Sequence, residues 1–189
     1  MEKLIIADSD SAFRAQAEAA LTPFYELEIV SSREACLDLT PRGNPDLILV
    51  GRLEPRGEAF ALCRRLREEP ATREIPILVV DVCARDHARR GWTRSEGMQM
   101  EAEGYTARPL SDNALRKEIA AILDRARSSR AFWQEVLEET EQRLKSEAES
   151  WKRLVGSMLR KAGAESPDSP AYQTCQNHGL HRYTSSENI

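Results

Sequence analysis

The chain has 189 residues, 41% of them hydrophobic and 31% charged, with a formal net charge of −4. That length suits one medium domain with an extension, and the hydrophobic share supplies one core beneath a heavily solvated surface. The mildly acidic balance excludes broad electrostatic affinity for nucleic acid or anionic membrane, and no run approaches the roughly 18 apolar residues that span a bilayer. The N-terminus enters a strand pattern directly and lacks the architecture of a signal peptide, so a cytoplasmic protein is expected. Cys36, Cys63, Cys83 and Cys175 form no CxxC pair, which suits reduced thiols better than a disulfide framework. Cys175, His178 and His181 lie close together but fall short of the four ligands of a closed zinc site, so neither metal nor cofactor is expected.

In chain order, the short apolar run 4–7 reads as a buried parallel strand. Phe13, Ala17, Ala20 and Leu21 then recur at helical spacing and stop before Pro23. Residues 25–30 alternate as a strand does, and the run 31–34 opens a helix through Cys36, Leu37 and Leu39 that Pro41 and Gly43 should stop. Residues 47–50 form a third buried strand, Phe60, Leu62, Cys63 and Leu66 a third helix ended by Pro70, and residues 75–80 a fourth strand. Between Asp81 and Tyr105 the pattern degrades into the polar stretch 85–94, so a fourth helix there would be short, shifted or poorly packed. Ser111, Asp112 and Asn113 then cap a clear helix carrying Leu115, Ile119, Ile122 and Leu123.

Strands alternating with helices at this spacing predict βαβ units with right-handed crossovers, hence an α/β fold built on a doubly wound parallel sheet. Ligands of such sheets sit at the carboxyl ends of the strands. Here those ends bring Asp8, Gly51 and Asp81 to one crevice.

Three ordered stretches carry a resemblance: Pro45-Asp46-Leu47-Ile48-Leu49-Val50-Gly51-Arg52-Leu53-Glu54-Pro55, the segment 63–77 from Cys63 through Pro76 to Ile77, and Tyr105-Thr106-Ala107-Arg108-Pro109-Leu110. Over residues 1 to about 125 the chain resembles a response-regulator receiver domain, whose flavodoxin-like fold implies a five-stranded doubly wound parallel sheet. The resemblance implies a site of five side chains. Two adjacent acids help hold magnesium, an aspartate ending the third strand accepts the phosphoryl group, a hydroxyl follows the fourth strand, and a lysine precedes a proline. At the corresponding positions stand Asp8 and Ser9, Gly51, Asp81 and Arg108. Glycine offers no nucleophile and Asp81 would repel phosphate, while Arg108 keeps a charge but not the lysine shape. With Asp8 alone unchanged, the chain resembles an atypical pseudo-receiver, with no catalytic residue and too few oxygen ligands for magnesium.

Two readings of the paired replacement stay open: an ion pair of Asp81 with Arg108 that locks the two loops, or two solvated charges. Tyr105 stands at the aromatic position whose rotamer changes with phosphorylation in ordinary receivers. It is read as a fixed contact surface or as a core aromatic, since no hydroxyl at 81 couples to it.

From Arg125 to Lys161 there is no proline, and a heptad pattern runs through Trp133, Leu137, Leu144, Trp151, Leu154 and Met158, spoiled by Arg130, Thr140 and Glu147. Such a face packs on a second copy, on its own domain or on another protein. The acidic residues Glu135, Glu138, Glu139 and Glu141 lie between basic ends, which suits antiparallel or staggered pairing, or merely a solvated face. Ser128 and Ser129 are a candidate hinge. The expected organisation is a pseudo-receiver at 1–126, a helical, coiled-coil-like interaction segment at 127–162 and a disordered tail at 163–189. The expected function is phosphorylation-independent protein–protein interaction in bacterial two-component signal transduction. The interaction face would comprise Tyr105, Pro109 and Leu115 together with the helix residues from Trp133 to Met158. Partners would be proteins of a signalling, motility or polarity circuit and a homo-oligomer through the C-terminal helix, with no nucleic acid and no membrane. The alternative is an atypical receiver answering a small ligand or an unconventional phosphodonor. A nucleic-acid reading rests only on the basic stretch 85–94.

Overall fold

The computed structural model of the chain describes residues 1–83, 85, 86, 97 and 99–161. Among these, the elements in order are β1 (Lys3–Ala7), α1 (Ser11–Leu21), β2 (Glu26–Val30), α2 (Arg33–Gly43), β3 (Leu47–Val50), α3 (Glu58–Glu68), β4 (Ile77–Asp81), β5 (Gly104–Ala107) and α4 (Asp112–Lys161). By spatial contacts the chain divides into a unit Met1–Arg130 and a second from Ala131 onward. The short or shifted fourth helix expected between Asp81 and Tyr105 falls largely outside the described residues, and the tail at 163–189 with the Cys175, His178 and His181 cluster falls wholly outside them.

The strands form one five-stranded parallel sheet in the order β2-β1-β3-β4-β5, the α/β architecture predicted from the alternation. β1, β3 and β4 are apolar at nearly every position because both of their faces are covered. Leu4, Ile6, Leu47, Leu49, Leu78 and Val80 face α1 and the first turns of α4. Ile5, Ala7, Ile48, Val50, Ile77 and Val79 face α2 and α3, with Met100 closing that side. Gly104 is needed where β5 meets α4: a Cβ there would stand 2.6 Å from Ile122 Cδ1.

Local chemistry sets the helix ends. Asp10 caps α1 by accepting from Ala12 N at 3.0 Å, and Ser32 caps α2 by accepting from Ala35 N at 3.2 Å. The expected serine cap of α4 is Ser111, whose Oγ accepts from Ala114 N at 3.3 Å. Pro41 does not stop α2. It sits in the last turn, and the helix ends at Asn44, whose φ of 43° is left-handed. Ser128 and Ser129 both lie within α4, with Ser128 Oγ donating to Asp124 O at 2.9 Å.

Arg67, in the last turn of α3, ties the sheet margin together. Its guanidinium donates to the carbonyls of Arg73, Ile75 and Glu101 and pairs with Glu103 at 2.8 Å. One expectation is corrected here. Leu115, assigned to the interaction face, is only 1% exposed and packs in the core against the sheet, because its place in the first turn of α4 points inward with Ile119 and Ile122.

Candidate functional site

The site is built at the carboxyl ends of β1, β3 and β4. Parallel pairing sets Ala7 beside Val50, so the next residues, Asp8 and Gly51, emerge side by side. Gly51 N donates to Ala7 O at 2.9 Å, and Ser9 N donates to Arg52 O at 2.6 Å. Asp8 is fully buried, and both of its carboxylate oxygens are engaged. Oδ1 accepts from Asp10 N at 2.7 Å; Oδ2 accepts from Arg52 N at 3.0 Å and from Arg108 Nη2. Burial pushes the Asp8 carboxyl above its ordinary value, against the pull of the Arg108 guanidinium and the two backbone N–H groups.

Arg108 arrives from the loop after β5, where its N donates to Asp81 O at 3.0 Å. Its side chain is 14% exposed and reaches across the crevice to Asp8, with Nη1 on Asp10 Oδ2 at 3.1 Å. The guanidinium also stacks on Phe13 at 3.9 Å from the ring centroid. The partner of Arg108 is thus the Asp8–Asp10 pair in place of the expected Asp81. Neither Asp10 nor Phe13 stood among the candidate site residues, although the capping position of Asp10 and the inward helical phase of Phe13 already put both beside Asp8.

Gly51 shows what this packing has done. A Cβ at that position would overlap Asp8 Oδ2 outright and stand 2.7 Å from Asp8 Cγ and 2.8 Å from Arg108 Nη2. The volume beside the end of β3 therefore belongs to a carboxylate from β1 and a guanidinium from the β5 loop.

Asp81 is 2% exposed and is held by Val82 N on Oδ1 at 2.7 Å and by the Tyr105 hydroxyl on Oδ2 at 2.5 Å. The tyrosine therefore does couple to position 81, through a carboxylate acceptor. Its ring is 52% exposed, so it is not a core aromatic. Pro109 is exposed as well. Ser9 bridges backbone, donating to Ser31 O and accepting from Glu54 N, both at 3.1 Å. In α4, Trp133, Leu137, Leu144, Trp151, Leu154 and Met158 are each half to two-thirds exposed.

No protein-family model matches the chain. Response regulator PleD of Caulobacter vibrioides is 29% identical over 121 residues, covering 64% of this chain and 26% of that protein. The probable transcriptional regulator ycf27 of Porphyra purpurea is 26% identical over 130 residues, covering 66% of this chain and 49% of that one. A response-regulator crystal structure from Chloroflexus aurantiacus J-10-fl superposes with a TM-score of 0.57 at 27% identity, covering 65% of this chain and 98% of that chain. Homologues and structures alike support the receiver family of response regulators. The receiver chain CheY4 of Vibrio cholerae, at 20% identity and a TM-score of 0.55, shares the fold. This chain spans only a quarter to a half of the length of the curated relatives it matches.

The unit Met1–Arg130 does not fit the magnesium ion that the resemblance to receivers implies. A hard dication needs several oxygen ligands. Here Gly51 supplies none, both Asp8 oxygens are hydrogen-bonded, and a cationic side chain already lies against them. Among the described residues no group of three or more acids, histidines or cysteines is placed to hold a metal. No described helix is long and apolar enough to cross a membrane.

Proposed function

We propose that the chain is a phosphorylation-independent protein–protein interaction module of bacterial signal transduction, a pseudo-receiver at 1–126 joined to a helical segment at 127–162. One observation carries this reading. The space in which an acceptor side chain would begin is taken by Asp8 and Arg108. The nucleophile is absent, and the charge of Arg108 is neutralised within the protein by two carboxylates. Tyr105 and Pro109 on the receiver unit and the apolar face of α4 from Trp133 to Met158 are the contact surfaces of this reading. The protein works by binding, in the cytoplasm.

The full chain is incubated with acetyl phosphate and magnesium and then weighed intact by mass spectrometry. No phosphoryl adduct is expected on native protein, and Gly51→Asp is expected to restore none while Arg108 is in place. Stoichiometric, hydroxylamine-labile phosphorylation of the unaltered chain would overturn the reading.

A second reading draws on a different observation. Arg52 Nε and Arg108 Nε are buried without a hydrogen-bond partner. Both residues line an open crevice of about 600 Å³ together with Asp10, Cys83, Arg85 and Asp86. An anion entering there would find guanidinium groups to bind. A rise in melting temperature with millimolar inorganic phosphate, lost in Arg52→Ala, would favour this reading over the first.

A further inference from the structure

The apolar residues of α4 beyond Ala131 follow a period that selects the kind of partner. From Trp133 the positions Leu137, Thr140, Leu144, Glu147, Trp151, Leu154 and Met158 follow in steps of alternately four and three residues. That 3.5-residue repeat, held over nearly four heptads, is the pattern of a helix that pairs with another helix by interlocking side chains. A surface that met a flat sheet or a globular groove would have no need of so strict a repeat. The six apolar members of the seam are exposed.

Charge selects the direction. Residues 131–145 carry Glu135, Glu138, Glu139 and Glu141 against Arg143 and Lys145. Residues 146–161 carry Glu147 and Glu149 against Lys152, Arg153, Arg160 and Lys161. Two copies running parallel and in register would set acidic half on acidic half and place two Glu147 carboxylates face to face in the seam. Running antiparallel, the acidic half of each meets the basic half of the other.

We propose that α4 pairs with a second copy of itself in an antiparallel coiled coil centred between Lys145 and Ser146. In this register Trp133 meets Met158 of the second copy, Leu137 meets Leu154, Thr140 meets Trp151 and Leu144 meets Glu147. Each seam position meets its complement, as antiparallel packing requires. Of the three residues that spoil the heptad pattern, Arg130 precedes this stretch and the other two are accommodated: Thr140 lies under an indole, and Glu147 comes beside Arg143 of the second copy. The proposal rests on the interaction-module reading for its helical half only.

Leu137→Lys and Leu154→Glu test it in the full chain, with mass measured by light scattering at micromolar concentration. Both residues are exposed, so the receiver unit should keep its circular-dichroism melting curve. The unaltered chain is expected to have twice the single-chain mass. Each variant alone should fall to half of that, and an equimolar mixture should return to the dimer, because only antiparallel pairing sets residue 137 of one chain against residue 154 of the other. A monomeric unaltered chain, a dimer indifferent to both substitutions, or variants that stay monomeric on mixing would each overturn it. Phosphorylation of the native chain would sink the reading of the crevice and leave this dimer standing; a monomer would do the reverse.

Discussion

The Tyr105 hydroxyl donates to Asp81 Oδ2 at 2.5 Å, joining the second residue of β5 to the carboxyl end of β4. Register explains why they meet. Tyr105 pairs with Val79, two residues before Asp81, so both side chains leave the same sheet face. The hydrogen bond holds the aromatic ring outward and gives a buried carboxylate one of its donors.

Tyr105→Phe removes that donor while keeping the ring. A buried acceptor that loses a partner costs about 1–3 kcal/mol, so the urea midpoint should fall by a corresponding amount. In the Asp81→Asn background the same substitution should cost less, and the double-mutant cycle measures the difference. Equal costs in both backgrounds would mean that the hydroxyl does not act through residue 81.

Arg108→Ala strands the Asp8 carboxylate in the interior with only backbone donors. Breaking a buried pair in this way costs roughly 3–5 kcal/mol. Asp8→Asn should recover part of the loss when combined with Arg108→Ala, since the uncompensated charge is then gone. Chemical denaturation of the two single variants and the double decides it. Failure of the double to recover would assign the loss to stacking on Phe13 instead.

Two thiols should be inert in the native protein. Burial pushes Cys36 up to about 11 and Cys63 up to about 12. At pH 8, well below either value, nearly all of both remain protonated, and neither is reachable by solvent. Iodoacetamide followed by peptide mapping should leave both unmodified until denaturant is added. Labelling of Cys63 at the rate of a free thiol would show that α3 lifts from the sheet.

One helix supplies a built-in contrast. Leu115→Ala empties a core position and should cost about 2–5 kcal/mol. Trp133→Ala, on the exposed stretch, should leave the melting of the receiver unit within about 0.5 kcal/mol of the original. Melting curves of the two full-length variants, followed by circular dichroism, make the comparison.

The sheet was legible because its central strands are unbroken apolar runs buried on both faces, and burial of that kind leaves little freedom in the pattern. Asp8, Gly51 and Asp81 could also be located, since strand ends in a parallel sheet fall together, while Ser9 and Arg108 came only from the resemblance to receivers. Which charge meets which could not be read. Arg108 has Asp8, Asp10 and Asp81 within its neighbourhood, and the choice depends on the length of its side chain and on the stacking offered by Phe13, neither of which has a sequence period. Leu115 was misplaced for a different reason: nearness in sequence to the exposed Tyr105 and Pro109 suggests one surface, while its helical phase with Ile119 and Ile122 turns it onto the sheet.

Gly51 makes this part of the crevice intolerant of side chains. An aspartate there would deliver a carboxylate into a volume already filled, where it would meet Asp8 as a like charge. Any residue larger than glycine needs the Asp8 carboxylate and the Arg108 guanidinium, which are paired with each other, to move apart first. A substitution at position 51 is therefore felt as a broken ion pair before it acts as a new functional group.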